Sequence, residues 1–315
     1  AFVKPATPVR TRYGEFDGAL IAGTLSKSTF WIDSNAGYRS VSGAIVTLKP
    51  ALAPRLTLGL SRTVYRGATS PIPTLDRALD ALFRWEHLAA PGDTLPNGAS
   101  RQRSDQITAA FARWVVSEAG VEVYGEFARQ DLPHGVTDLL TTPQYSGALT
   151  LGFQWARRRA AGAYLRLQAE FTNLEQGLEV RKYGQAPDFY SGRSSPLGYT
   201  QRGQVIGAAI GPGSQSQWVA VDHIAPRHQF GGYVGRIRWE NDALYRQVFP
   251  TFLRHDVTVY GGLRGGWRAP LTDVQADAAY GYRFNYLFQN GFANPGGYRN
   301  VDIRNVTLTV RLSPR

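Results

Sequence analysis

The sequence contains no cysteine, so none of its 315 residues can be held by a disulfide bond. A secreted protein of this size without disulfides must be stabilised by its fold alone, and a closed, hydrogen-bonded sheet can do this. Methionine is absent too, including an initiator. We therefore expect a processed or truncated chain from which any signal peptide has been lost.

Long apolar runs are missing as well. No stretch of about 18 uncharged apolar residues occurs, which excludes a membrane-spanning helix. A membrane β-barrel stays compatible with this composition, because only alternate residues of a barrel strand face lipid. The net charge of +11 has three interpretations: a solvated basic surface, a nucleic-acid site, or a basic cavity or rim that faces an acidic polysaccharide. We favour the third and expect no nucleic-acid partner.

Aromatic residues and glycine are abundant, with 16 Tyr, 15 Phe, 7 Trp and 34 Gly. This mixture suits strands with bends and interfacial aromatic girdles. Apolar and polar residues alternate with the period of two that is typical of strands. In residues 163–171, for example, Leu165 and Leu167 fall on one face and Arg166 and Glu170 on the other. The same alternation recurs in residues 145–155, 256–267, 273–286 and 305–312.

The alternation predicts about twelve antiparallel strands. A soluble β-sandwich has alternating strands too, but its strands usually run about five or six residues. Several segments here sustain the pattern over the roughly 9–11 residues that cross a bilayer at a tilt. We therefore predict one transmembrane up-and-down β-barrel domain over residues 1–315. The predicted strands are 18–33, 39–49, 55–66, 104–117, 120–131, 144–157, 160–173, 214–225, 228–241, 254–267, 271–287 and 300–313.

Short and long connections alternate between these strands. The long ones include 67–103, 174–213 and 288–299, and only 34–38 breaks the rule. Outer-membrane barrels have short periplasmic turns and long extracellular loops. We therefore expect a bacterial outer-membrane protein with its long loops outside and its short turns and C-terminus in the periplasm. Within the first long loop, apolar residues at helical spacing predict a helix over 74–87.

Familiar catalytic signatures are missing from the sequence. It contains no Gly-x-Ser-x-Gly elbow, no His-Glu-x-x-His and no phosphate-binding glycine loop, and its five histidines show no metal-ligand spacing. Glu122 and Glu126 share a strand face, but four residues separate them by roughly 13 Å, which is too far for a glycosidase pair. A partner such as Glu170 on another strand stays open. We expect no catalytic residue, no metal and no cofactor.

Charged residues on the polar strand faces suggest a different role. We predict that acidic residues, including Asp222, pair with arginines inside the barrel, as is expected for a barrel that is not an open pore. The residues of this predicted charge ladder are Glu122, Glu126, Arg166, Glu170, Arg236, Arg238, Arg264 and Arg311.

One stretch carries a specific resemblance. Residues 199–213 read Tyr-Thr-Gln-Arg-Gly-Gln-Val-Ile-Gly-Ala-Ala-Ile-Gly-Pro-Gly. This stretch resembles the Tyr-x-x-Arg-Gly-x-x-x-Gly stretch that precedes a late strand in the Wzi family of capsule-assembly outer-membrane proteins. The order of elements around it, from Asn97–Arg113 through 123–128 to Gly162–Glu170, is similar too. The similarity extends over about residues 15–313 and is strongest at 95–240.

This resemblance implies a non-enzymatic, lectin-like outer-membrane protein that helps hold capsular polysaccharide at the cell surface. The barrel it implies is larger than the twelve strands visible here, with helical elements that occlude its interior. The expected partners are an acidic capsular polysaccharide and outer-membrane lipid. Two other functions stay open: a porin or oligosaccharide channel, and an outer-membrane lipid or glycan hydrolase.

Polysaccharide recognition needs aromatic platforms for sugar faces and cationic groups for carboxylates. The loops 174–213 and 288–299 concentrate such residues on the long-loop side. We predict a binding surface that includes Arg181, Lys182, Tyr183, Tyr190, Arg193, Tyr199, Arg202 and Tyr298. Alternatively, Tyr199 and Arg202 only anchor their loop.

Overall fold

The computed structural model describes residues 1–30, 37–85, 104–132, 135–143, 145–177, 189–192, 194, 197–245, 254–289 and 301–314.

All twelve predicted strands are present. The bounds of the first strand differ most from the prediction: it spans Gly14–Ser26 rather than 18–33. Four short strands accompany them. The strands are Phe2–Val3 (β1), Val9–Thr11 (β2), Gly14–Ser26 (β3), Tyr38–Pro50 (β4), Leu56–Ala68 (β5), Asp105–Val116 (β6), Val121–Gln130 (β7), Gly147–Arg158 (β8), Tyr164–Asn173 (β9), Thr200–Gln201 (β10), Gln204–Val205 (β11), Gln215–Ile224 (β12), His228–Trp239 (β13), Asp256–Arg268 (β14), Thr272–Phe284 (β15) and Ile303–Pro314 (β16).

The long strands form one sheet in chain order, so the topology is up-and-down. Each long strand pairs with the long strands before and after it, while β1 and β2 pair with β3. The connections at one end of the strands are short throughout, as between β12 and β13 or between β14 and β15. Those at the other end are long, including the stretch between β3 and β4. The predicted alternation of connection lengths is therefore confirmed.

The predicted helix over 74–87 is broken in two. Leu75–Ala78 (α1) and Asp80–Phe83 (α2) flank Leu79, which leaves helical geometry with φ −103° and ψ 5°. The Ser42 hydroxyl of β4 donates to the carbonyl of Ala78 at 2.7 Å. No helix among the described residues is both long enough and apolar enough to span a membrane. The remaining described α-helices are Val136–Thr141 (α3) and Asn241–Tyr245.

The chain divides into two compact units. Unit 1 comprises Ala1–Arg113, Gly125–Leu149 and Leu174–Pro212, and unit 2 comprises Trp114–Tyr124, Thr150–Asn173 and Gly213–Arg315. Within the described residues the sheet runs from β1 to β16 and is not closed between these two edge strands. The interpretation as a single barrel domain stays a prediction.

The strands of unit 2 have one apolar and one polar face. The apolar face is strongly exposed: Leu263 is 72% exposed and Trp267 58%. Contiguous exposed apolar area of this kind is rare on soluble monomers and marks a surface that contacts lipid or another protein. The residues of this face include Val219, Val221, Phe230, Val234, Val259, Leu263, Trp267, Tyr280, Val306, Leu308 and Val310.

Candidate functional site

The polar face of unit 2 is organised around Asp222 of β12. Asp222 is only 4% exposed and lies directly opposite Arg166 of β9, whose Nη2 is 3.0 Å from Oδ2. On its other side Arg264 of β14 makes a bidentate contact, with Nε and Nη2 each 2.7 Å from a carboxylate oxygen. Bidentate guanidinium–carboxylate pairs are among the stronger hydrogen-bonded interactions in proteins. Asp222 therefore contacts two of the arginines of the predicted charge ladder, Arg166 and Arg264.

Arg264 reaches Asp222 across an intervening strand, and a glycine makes this contact possible. Gly231 of β13 is the register partner of both Asp222 and Arg264. A Cβ atom added to Gly231 would overlap the Oδ1 atom of Asp222. The missing side chain therefore opens the space in which the guanidinium and carboxylate meet, a common reason for glycine inside a strand.

We expect Gly231→Ala to lower the free energy of unfolding by about 1–3 kcal/mol, because the methyl group displaces Asp222 from Arg264. Gly232→Ala is the matched control. Its Cβ would point to the apolar face, at 3.3 Å from the flexible end of Leu263, so we expect a smaller loss. Urea unfolding of both variants in vesicles measures the difference, and equal losses would show that the space at Gly231 is unimportant.

Two other acidic side chains of the polar face are bound by tyrosines. The Tyr124 hydroxyl donates to Oε2 of Glu170 at 2.5 Å, and the Tyr233 hydroxyl donates to Oδ1 of Asp277 at 2.9 Å. Tyr124 crosses Gly152, where an added Cβ would overlap its ring. Glu170 forms no ion pair with an arginine in the described ranges of the chain, where its partner is Tyr124.

The rest of the predicted charge ladder is corrected in part. Arg236 and Arg238 lie on the same apolar face of β13 as Val234, since the three positions are spaced two residues apart. They do not lie on the polar face that carries Arg264. Arg236 donates to Gln217 at 3.1 Å. Glu126 and Arg311 lie on polar faces, but within the described residues neither forms an ion pair. Glu122 lies on the same face of β7 as Tyr124.

In unit 1 a segment of the loop 174–213 packs against the sheet. Phe189 is buried against Ala109, Ala128 and Ala148, which come from three successive strands. Their small side chains leave room for the ring, and Leu174 completes the cluster. We refer to residues 189–192, 194 and 197–212 together as the docked segment.

Polar contacts also hold the docked segment against the sheet. Gln130, 1% exposed, accepts from the Tyr190 amide at 2.7 Å and donates to the carbonyl of Ser191. Asp105, which is fully buried, accepts from the Ser194 amide at 3.1 Å and from its hydroxyl. The buried Gln130 amide and Asp105 carboxylate need these hydrogen bonds, because a buried polar group without a partner lowers the free energy of unfolding.

Tyr190 and Tyr199 anchor the docked segment from within. Their rings stack at 5.9 Å between centroids, and Tyr199 also contacts the Tyr65 ring at 5.4 Å. The Tyr190 hydroxyl accepts from the Ala208 amide at 3.0 Å. Burial raises the pKa of both phenol hydroxyls. These contacts favour the anchoring role for Tyr199 over the predicted role as an open sugar platform, and the same applies to Tyr190.

The Tyr-x-x-Arg-Gly-x-x-x-Gly stretch now has a structural explanation. Arg202 and Gly203 are the two central residues of the β10–β11 hairpin, with φ values of 52° and 84°. Two positive φ values define the type I′ turn that matches strand twist and favours glycine. Gly207 lies beneath the Tyr190 ring, where a Cβ atom would overlap it. The motif thus encodes a tyrosine anchor, a tight hairpin and a ring contact.

The tip of this hairpin is exposed at the long-connection end of β3. The Arg202 amide donates to the Ser26 carbonyl at 2.9 Å, while its side chain is exposed. Gly203 contacts Ser28, and two residues further Phe30 is 91% exposed. Gln204 is exposed as well. We call Phe30, Arg202 and Gln204 the hairpin-tip surface.

Phe30 was missed by sequence reasoning, because it falls at the end of a predicted strand rather than in a loop. Its proximity to the hairpin depends on the Ser26 and Ser28 contacts, which join segments about 175 residues apart. Arg181, Lys182, Tyr183, Arg193 and Tyr298 lie outside the described residues. Among the residues that are described, no three potential metal-ligand side chains converge.

The up-and-down antiparallel sheet, with strands of 10–13 residues and an exposed apolar face, defines the fold class of outer-membrane β-barrels. The structure is similar to Wzi, an outer-membrane protein involved in group 1 capsule assembly in Escherichia coli that is described as a carbohydrate-binding β-barrel. The TM-score is 0.60 at 13% identity, over 90% of this chain and 56% of Wzi. The predicted fold class is confirmed.

This chain spans a little over half the length of Wzi, and at 13% identity the likeness shows the fold. OmpT, an outer-membrane protein of Vibrio cholerae, aligns with a TM-score of 0.30 at 8% identity, over 98% of this chain and 92% of its own. No family model matches the sequence. No curated protein matches it either. Membership of the Wzi family stays a prediction.

Proposed function

We propose that this protein is a non-enzymatic outer-membrane protein that binds an acidic capsular or exopolysaccharide and holds it at the cell surface. The long connections would be extracellular, and the short turns and C-terminus periplasmic, as in other outer-membrane barrels. The fold shared with a carbohydrate-binding barrel supports the class of ligand. The hairpin-tip surface is the observation that carries the proposal.

The hairpin-tip surface has the chemistry that a uronate polymer requires. Phe30 offers a flat, almost fully exposed ring for the apolar face of a sugar. The Arg202 guanidinium is exposed on a turn whose backbone is fixed by Ser26, so its donors can pair with a carboxylate. Gln204 adds an amide for hydroxyl groups. Fixing the backbone in advance lowers the entropy that binding would otherwise cost.

The net charge of +11 supports the same choice of ligand. A basic protein attracts an anionic polymer at long range, and salt screens this attraction over about 8–10 Å at physiological ionic strength. We therefore expect binding to weaken as salt rises, and we expect a neutral glucan to bind poorly at any salt concentration.

The test uses the detergent-folded protein, with polygalacturonate as the acidic probe and dextran as the neutral one. We expect Arg202→Glu to weaken polygalacturonate binding about tenfold or more, because a charge-assisted contact becomes repulsive. We expect Phe30→Ala to weaken it about 2- to 10-fold through loss of the aromatic contact. Binding is measured by surface plasmon resonance at two salt concentrations.

Arg12→Glu is the matched control, since Arg12 is exposed in unit 1 in the turn between β2 and β3. Arg12→Glu reverses one charge, as Arg202→Glu does. Because salt screens a remote charge, we expect polygalacturonate affinity to stay within about twofold of that of the unmodified protein. If Arg12→Glu and Arg202→Glu weaken binding equally, attraction is non-specific and the hairpin-tip surface is not the site.

A cellular test addresses the proposed role directly. In a strain without the gene, polysaccharide should move from washed cells to the medium while total production holds. Complementation with Arg202→Glu should restore retention less well than complementation with Arg12→Glu. Unchanged retention in the deletion strain would contradict an anchoring function.

A further inference from the structure

Five exposed arginines gather at the short-turn end of unit 2. Three are consecutive at the end of β8, one lies in the turn between β12 and β13, and one ends β14. Because β8, β9, β12, β13 and β14 are successive neighbours in the sheet, their turns form one edge. We call these residues the arginine rim: Arg157, Arg158, Arg159, Arg227 and Arg268.

The arginine rim lacks ion-pair partners in the part of the chain that the structure describes. None of its five members forms an ion pair with any described residue. Three carboxylates lie at the same edge, Glu118, Glu122 and Asp273, and Asp273 is the register partner of Arg268. The five arginines still leave an excess of positive charge. Exposed cations without partners attract anions that bring their own negative charge.

Two of the rim arginines are held by backbone contacts. The Arg268 amide donates to the carbonyl of Arg227 at 2.8 Å, and its Nη1 atom donates to the carbonyl of Pro226 at 3.3 Å. The turn between β12 and β13 is thereby fixed against the end of β14. The two guanidinium groups are attached to a rigid edge rather than to a loose loop.

A stack of aromatic rings lies beside these arginines on the apolar face. His223 stacks on Phe230 at 4.8 Å, and His228 stacks on Trp267 at 5.9 Å. Phe230 and Trp267 are each 58% exposed. Rings of this kind, between an apolar band and a polar edge, occupy the headgroup level of a bilayer.

Clefts open between the turns of this edge. One is lined by Trp155, Tyr164, Arg157 and Arg158, and another by His228, Trp267 and Arg268. Each cleft combines arginine and aromatic residues with one carboxylate, Glu118 in the first and Asp273 in the second. A lipid headgroup presents the matching sequence of groups, an anionic phosphate followed by an apolar glycerol ester and acyl chain.

We propose that the arginine rim and its aromatic stack bind the phosphate headgroups of anionic phospholipids. The phosphates pair with the guanidinium groups, and the acyl chains lie along the exposed apolar face above Trp267. Lipopolysaccharide phosphates carry the same charge, but the rim is at the short-turn end, which faces the phospholipid leaflet in the proposed orientation. The inference rests on the membrane location in the proposed function and is independent of polysaccharide binding.

The test measures lipid preference with the protein reconstituted in phosphatidylcholine vesicles. Phosphatidylglycerol brominated near the headgroup is added, and quenching of tryptophan fluorescence reports its occupancy beside Trp267. The part of the quenching lost in Trp267→Phe identifies that reporter. We expect phosphatidylglycerol to be preferred over phosphatidylcholine by about 3- to 10-fold and the preference to shrink in high salt.

Charge reversal at the rim, as Arg227→Glu with Arg268→Glu, should abolish the preference, while the neutral pair Arg227→Gln with Arg268→Gln should reduce it. The matched control is Arg238→Glu with Arg304→Glu, which removes two cations at the opposite end of unit 2. The control should keep the preference. Heat-modifiable migration in gels confirms that each variant is folded.

The outcomes separate the two proposals. Equal occupancy by both phospholipids in the unmodified protein, or equal losses in the rim and control variants, would overturn the rim proposal. A preference for lipopolysaccharide over phosphatidylglycerol would overturn it too. If brominated phosphatidylcholine itself fails to quench, the protein is not in the bilayer, and the membrane location fails instead.

Discussion

Replacing Asp222 by asparagine will lower the free energy of unfolding by about 3–5 kcal/mol, the usual result of removing one member of a buried ion pair. Asp222 is 4% exposed and pairs with both Arg166 and Arg264, with N–O distances of 3.0 and 2.7 Å. Asparagine keeps the shape but removes the charge. Arg166 and Arg264 then lose their shared carboxylate, and the nearest remaining anion is Asp277, the register partner of Arg264 on β15. Urea titration in vesicles, followed by tryptophan fluorescence, measures the loss.

Two further variants isolate the cause. Asp17→Asn makes the same change at an exposed position whose carboxylate accepts only from the Gly18 amide, and it should cost less than about 0.5 kcal/mol. Asp222→Asn combined with Arg264→Gln should cost less than the sum of the single changes, because they share one interaction. A strictly additive result would mean that the Asp222–Arg264 contact contributes nothing.

The strands could be predicted because the alternation of apolar and polar residues is a local property. Strands of unit 2 keep the period of two through their middle residues, as Val259, Leu263 and Trp267 of β14 show on one face. The connection lengths follow directly from the strand positions. The helix over 74–87 was predicted as one piece because its apolar spacing does not reveal the break at Leu79.

The charge ladder was harder to predict, because a period of two assigns faces but not partners. Arg236 and Arg238 follow Val234 on the apolar face of β13, where the strand approaches its long connection. Beyond the apolar band both faces of a strand can be polar, so charge no longer identifies the polar face. Asp222 of β12 and Arg264 of β14 meet across β13 because Gly231 has no side chain. The sequence does not show that this glycine opens the space for the contact.

The docked segment illustrates a second limit. Tyr190 and Tyr199 were predicted as sugar platforms because exposed aromatic loop residues often bind ligands. Their burial depends on Gln130 and Tyr65, which lie 60 or more residues away in the chain. Such long-range contacts have no local pattern in one sequence. Arg202 kept its predicted exposure because a two-residue hairpin turn is a local structure that points its side chains away from the sheet.

Release of the docked segment is the second large effect that we expect. Gln130→Leu removes the acceptor of the Tyr190 amide and the donor to the Ser191 carbonyl. Each of these groups would then be buried without a partner at a cost of about 1–3 kcal/mol. Tyr190 in turn holds the Tyr199 amide at 2.8 Å and the Ala208 amide at 3.0 Å. The hairpin that carries Arg202 should therefore open together with Tyr190.

Trypsin can measure this opening, because it cleaves after Arg202 only when the tight hairpin unfolds locally. When reclosing is faster than cleavage, the rate follows the population of the open form, so we expect Gln130→Leu to accelerate cleavage there about 10- to 100-fold. Cleavage after Arg12, in the turn between β2 and β3, is the internal reference and should not change. Gln168→Leu is the matched control, since within the described residues the Gln168 side chain hydrogen-bonds to Gln154 alone. An unchanged rate of cleavage after Arg202 in Gln130→Leu would mean that the segment is held by the Phe189 cluster alone.

The two outcomes predict different polysaccharide affinities for Gln130→Leu. If cleavage after Arg202 is unchanged, the variant should bind polysaccharide as the unmodified protein does. If the hairpin is released, the variant should bind more weakly, because Phe30 and Arg202 no longer keep a fixed spacing.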